Sequence, residues 1–309
     1  MESAFIPLSL AAGSLLAVQA GANAQLSKAL GSPFAATTVQ LAVGALLVFL
    51  FSGMTGSLHA LSALPSVTWW HAMGGTASAF YVVSTITLFM RVGAVVTVGL
   101  SIAGQILASL ALDASGGLGV PQAAIQASTV IGTTLVLAGA TAIVLGQSTG
   151  QAATTLVARL PWIALGLAAG AVLPIQGAVN GLLHIELQAP LAVATTSFVV
   201  ATLAMAAVLP LTAVLGKASR PSLSHLGTMP WWGWLGGIAG VVYVTTVFMA
   251  MPVIGAAAVV GFTVAGQQVA SVLVDWYGLL RLPKRPVTRL RLAGVTTLML
   301  GVFTIKFPG

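Results

Sequence analysis

The chain has 309 residues, 58% of them hydrophobic and only 5% charged, where a soluble domain carries about a quarter. Eleven Lys and Arg with four Asp and Glu cannot cover the exterior of a water-soluble protein of this size, so the chain belongs in a bilayer. The net charge of +7 does not indicate nucleic acid, because the basic residues stand at the ends of apolar runs and form no solvated face. With no Cys, disulfides, thiolate catalysis and thiolate metal sites are excluded.

At about 20 residues per spanning helix, the length allows about ten helices and no sizeable soluble domain. In chain order, spans are predicted near residues 5–29, 34–52, 68–90, 94–113 and 122–146, then 161–184, 190–215, 230–251, 255–276 and 287–307. The first lacks a basic leader and runs on for over twenty residues, which predicts a retained helix and not a cleaved signal peptide. Pro7, Pro161 and Pro230 fall near helix starts, where a missing N–H costs little. Trp69-Trp70 and Trp231-Trp232 open their spans as interfacial anchors would. The runs are continuous and lack period-two alternation, which argues against a membrane β-barrel. The longest polar stretch divides the chain into a first unit (1–146), a linker (147–159) and a second unit (160–309).

The two units repeat each other. At an offset of 157, Gln19 and Asn23 meet Gln176 and Asn180, and Pro33 meets Pro190. At an offset of 162, the Trp pairs, Gly74-Gly75 and Gly236-Gly237, and Tyr81 and Tyr243 coincide. So do Gln105, Ser109 and Asp113 with Gln267, Ser271 and Asp275; residues 69–113 show 17 identities in 45 gap-free positions. Apolar composition alone would not align Trp, Tyr, Gln and Asp together, so each unit is one five-helix duplicate.

Five is odd, so the second unit is expected to enter the membrane from the opposite side. Charge supports this: Lys28, Arg91, Arg159, Lys217, Arg220, Arg281, Lys284, Arg285, Arg289 and Arg291 fall on the side of the first connection, against Lys306 on the other. The expected fold is therefore all-α and integral to the membrane, with ten transmembrane helices in two inverted five-helix repeats and both termini away from the cytoplasm.

Taken in this order, the Gln-x-x-x-Asn span, the Trp-Trp with Gly-Gly, the Tyr and the Ala-Gly-Gln…Ser…Asp span are a recognisable set. Each half resembles the YdcZ-like family of the drug/metabolite transporter superfamily, and the whole resembles a fused two-repeat form. The resemblance implies an EamA-like bundle in the bacterial inner membrane that exports small organic molecules. It supplies no substrate and implies no cofactor. Many superfamily members have cytoplasmic termini, and the charges here argue for the reverse. A relative of another branch couples protons to cation export through a buried Glu in its first helix, where this chain carries amides. That departure weighs against proton–cation antiport and leaves a neutral, zwitterionic or aromatic solute at least as well supported.

Inverted repeats place a substrate site near the midplane between the halves. Gln19 and Asn23 share one face of their span, as do Gln176 and Asn180. Such amides either pin helices together or line a polar cavity. Tyr81 and Tyr243 stand eleven residues past the second Trp of each pair, roughly 16 Å deeper, where a hydroxyl needs a partner. Gln105 and Gln267 begin stripes that end at Asp113 and Asp275 near opposite mouths. The expected cavity is therefore Gln19, Asn23, Tyr81, Gln105, Gln176, Asn180, Tyr243 and Gln267, with Asp113 and Asp275 as gate or proton-linked residues. The glycines suit close helix packing.

No enzyme is expected: the four His show no ligand spacing, no metal motif or paired carboxylates occur, and there is no room for a nucleotide-binding domain. The expected partners are a small-molecule solute and membrane lipid, with no nucleic acid, the chain acting as a monomer or homodimer. A channel and a non-transporting structural subunit are the alternatives to a carrier. Green fluorescent protein fused after Gly309 should stay dark in cells, and fluorescence would reverse the orientation.

Overall fold

Helix dominates the computed structural model, which describes residues 2–92, 94–145, 156–214, 221–222, 225–282, 284 and 288–306. Most of the 147–159 linker, Gly93, Lys217, Arg220 and Arg285 lie outside these residues. Among the described residues there is no strand, and ten α-helices follow one another. The first half contains α1 (Glu2–Leu30), α2 (Pro33–Met54), α3 (Thr76–Val92), α4 (Ala94–Ser115) and α5 (Ala127–Leu145). The second contains α6 (Leu156–Leu187), α7 (Pro190–Val214), α8 (Leu235–Ile254), α9 (Ala256–Tyr277) and α10 (Arg289–Lys306). Seven of the described helical segments are long and apolar enough to cross a membrane, and α5 carries a shorter apolar stretch, Ala127–Ile143.

Local chemistry explains the boundaries. Ser32 accepts a hydrogen bond from the Ala35 amide at 3.3 Å, and Pro33 takes the first helical position of α2. Gly255, at φ +84°, is the single residue between α8 and α9. Three α-helices start later than the apolar runs suggest. The Trp69–Gly75 segment is a 3₁₀ helix, so α3 begins only at Thr76. The same happens at Trp231–Trp234 before α8. Gly116 and Gly119 adopt positive φ, and Pro121 follows them, which delays α5 to Ala127.

Helix pairing runs across the halves. The first helix of each half packs against the third and fourth of the other, α1 on α8 and α9, and α6 on α3 and α4. The second helices α2 and α7 pair with each other, as do the last helices α5 and α10. Lipid gives apolar helices no hydrophobic reason to associate, so close backbone approach must supply the attraction. Glycines permit it at matched places. A Cβ at Gly13 would collide with the Thr263 carbonyl, and one at Gly170 with the repeat-related Ser101 carbonyl. Gly266 against Leu10 and Gly104 against Leu167 form a second matched set. Gly75 lies on Ser197 and Ala201, and Gly237 on their counterparts Gln40 and Gly44. In the α5–α10 pair, Gly132 meets Gly301 and Gly139 meets Gly294, so these two helices run antiparallel.

Ala substitution at Gly104 or Gly266 should destabilise the protein by about 1–3 kcal/mol through overpacking. The same change at Gly227, which has open space around it, should have no effect. Thermal unfolding of purified protein in detergent checks both.

Candidate functional site

The sequence-predicted amides occupy two corresponding places. In one, Gln176 and Asn180 on α6 are buried, at 4% and 1% exposure. The Ser78 hydroxyl of α3 donates to Gln176 Oε1 at 3.0 Å, crossing from one half to the other. Asn180 Nδ2 donates to Ser197 Oγ on α7 at 3.1 Å, and Gln176 Nε2 reaches the same oxygen at 3.5 Å. Asn180 Oδ1 packs on Gly74, where any side chain would displace it. These contacts pin α6 to α3 and α7, the bonding role open to amides at this depth.

The corresponding place on α1 is looser. Gln19 and Asn23 are both half-buried. Gln19 Nε2 lies against Gly240 of α8, which holds the position corresponding to Ser78, so it meets no hydroxyl there. Gln40 stands where Ser197 stands in the other half and donates to the Gly236 carbonyl at 3.2 Å. Asn23 Oδ1 and Gln40 Oε1 are buried with no protein partner, and so is Asn180 Oδ1 in the other half. The α6 amides bond two hydroxyls, whereas the α1 amides have Gly240 and Gln40 at the corresponding positions.

Tyr81 on α3 and Tyr243 on α8 hold matching positions in the two halves, and the Tyr243 hydroxyl pairs with the Thr263 side chain on α9. Tyr243 is buried, whereas Tyr81 is half-buried. Gln105 is buried and bonds back to the Ser101 carbonyl of its own helix at 3.4 Å, while Gln267 is half-buried. Four of the eight residues therefore form two corresponding amide sites between helices, the tyrosines lie on the matching helices α3 and α8, and Gln105 bonds back within its own helix. The small apolar pocket lined by Leu118, Gly177, Met251 and Pro252 includes none of them.

The two aspartates are engaged at helix ends. Asp113, 9% exposed, accepts the Ala256 and Ala257 amides of α9 at 2.7 Å each, one on each carboxylate oxygen. Gly255 has no side chain to cap that helix, so the cap comes from the opposite half. Asp275 instead forms an ion pair with Arg291 of α10 at 2.7 Å. Charge counting placed Arg291 with the connection before α10. It lies inside the helix, is 1% exposed and also donates to Ser271 at 3.2 Å. A carboxylate one helix away makes that burial possible.

Sequence reading missed Ser78, Ser197, Gln40, Thr263 and Arg291. The 157-residue offset, which matches Gln40 with Ser197, would have exposed that polar pair. Arg291 was legible as a charge one turn inside an apolar run. Among the described residues, no group of three or more His, Asp or Glu is placed to hold a metal ion.

Replacing Asp275 with Ala leaves Arg291 buried and unpaired, so it should cost about 3–5 kcal/mol of stability. Adding Arg291→Met should recover most of that loss. Thermal unfolding of the single and double variants checks the expectation.

A protein-family model described as "Putative inner membrane exporter, YdcZ" matches residues 4–142 and again residues 161–304. Among solved structures, one titled "Crystal structure of protein" aligns with a TM-score of 0.68 over 98% of this chain and 95% of its own length. Its identity is 16%, so the likeness concerns the fold alone. No curated protein matches the chain. With both halves matched by one model and helices apolar enough to cross a bilayer several times, the chain belongs to the YdcZ family of inner membrane exporters within the drug/metabolite transporter group.

Proposed function

We propose that the chain is a secondary-active carrier that exports a small organic solute across the inner membrane by alternating access. Its working parts are two inverted five-helix repeats, residues 1–146 and 160–309, joined by the linker 147–159. Membership of an exporter family supports transport as the activity. The reciprocal glycine contacts support two related bundles exchanging roles about a common interface. The observation that carries the reading is the reciprocal packing of the first helix of each half on the third and fourth helices of the other, α1 on α8 and α9 and α6 on α3 and α4.

The solute meets phenol rings and amides. Asp113 and Asp275 are bound elsewhere, at helix ends, and the middle of α1 carries amides. This lining suits a neutral, zwitterionic or aromatic molecule: rings stack, hydroxyls and amides exchange hydrogen bonds, and no fixed charge selects a cation. The accessible Gln19, Asn23, Tyr81 and Gln267 contact it first, with Tyr243 beneath them. The bonded pair Gln176 and Asn180 frees its amides only when α6 shifts against α3 and α7.

A thermal-shift screen of metabolites, amino acids, nucleobases and drug-like cations should identify a stabilising solute. Purified protein in liposomes should then exchange that solute in counterflow, and Tyr81→Ala and Tyr243→Ala should each slow exchange about tenfold or more. Flux without counterflow would make the protein a channel. Liposomes that move none of the screened solutes would make it a structural subunit.

A further inference from the structure

Asp113 and Asp275 occupy the same place in the two halves yet hold different partners. Asp113 grips the first two amides of α9, and Asp275 grips Arg291. The helices α4 and α9 are each 22 residues long, and the end of α4 meets the start of α9, so they run antiparallel. Nineteen residues separate Ala94 from Asp113, and nineteen separate Ala256 from Asp275. At 1.5 Å per residue, Asp275 therefore falls level with the start of α4. One helix pair carries a carboxylate at each end, each belonging to one helix and level with the N-terminus of the other.

The two ends differ in burial. Gln105, Ser109 and Asp113 are all buried, at 5%, 0% and 9% exposure. Their counterparts Gln267, Ser271 and Asp275 are all half-buried. The stripe that ends at Asp113 is thus more deeply buried than the one that ends at Asp275. Over about 28 Å of helix, a tilt of about 10° moves an end by about 5 Å, enough to break a carboxylate–amide contact.

We infer that the two aspartates are alternating latches: Asp113 on the start of α9 holds one end of the α4–α9 pair shut here, and Asp275 takes the start of α4 in the opposite conformation, releasing Arg291. Arg291 sets the balance between the two. Its repeat-related position is the uncharged Thr129, so the Asp275 latch competes with a cation placed one helix away and the Asp113 latch has no such cation at the matching position. The inference rests on the alternating-access reading and adds the device that makes the two ends exclusive.

The chain has no Cys, so spin labels can be placed at will. Labels at the exposed positions Ser115 and Val253 report the Asp113 end, and labels at Val98 and Leu273 report the other. Asp113→Asn should lengthen the first distance and shorten the second, changing the ratio of the two populations about tenfold. Arg291→Met, which frees Asp275 without touching Asp113, should shift both distances the same way. Adding Asp275→Asn to Asp113→Asn should abolish the shortened 98–273 population. Distances unchanged in both Asp113→Asn and Arg291→Met would overturn the latches. Transport that persists with unchanged distances sinks the latches alone, whereas shifting distances without counterflow sink solute export and leave the two-state exchange that the latches control.

Discussion

Hydrocarbon offers a helix nothing to hydrogen-bond and gives apolar side chains no reason to leave it. Any contact between helices must therefore come from close packing or from polar groups that cannot be left unpaired. Both devices are concentrated where the halves meet. Gly13, Gly104, Gly170 and Gly266 let backbones touch at four related points, and Gly132 with Gly301 and Gly139 with Gly294 close the α5–α10 pair. Without those approaches α1 could not seat against α9, nor α6 against α4.

The polar groups divide into those that are spent and those that are available. Gln176 and Asn180 are tied to Ser78 and Ser197 and hold α6 in place. Gln19 and Asn23 sit in the same environment with the hydroxyls replaced: Gly240 stands for Ser78 and Gln40 for Ser197. Gln40 Oε1 is without a protein partner, as is the matching side-chain oxygen of both asparagines, Asn23 Oδ1 and Asn180 Oδ1. A buried acceptor in that condition costs free energy until something donates to it. Duplication followed by local divergence has thus given the two amide pairs different neighbours.

Charge follows the same division. Four acids and eleven bases are few enough that each buried one needs a local explanation. Asp113 is made tolerable by two consecutive amides at a helix start, and Arg291 by Asp275 and Ser271. Neither arrangement resembles the screened, exposed pair of a soluble surface, and each ties one helix to another in water-poor surroundings.

Composition and run length determined the solvent, the all-helical class and the order of the spans, because a helix in lipid must be apolar over a set length wherever it stands. Identities at fixed offsets revealed the duplication, and the polar positions Gln19, Tyr81, Asp113 and their counterparts were legible as departures from an apolar background. What each of them bonds was decided only by tertiary structure. Gln176 finds Ser78, about a hundred residues away, because α6 of one half nests against α3 of the other. Asp113 and Asp275 are the same letter in the same motif, yet one caps a helix and the other pairs with Arg291. Hydrogen-bond partners depend on which helices become neighbours and at what tilt, and local residue pattern carries neither.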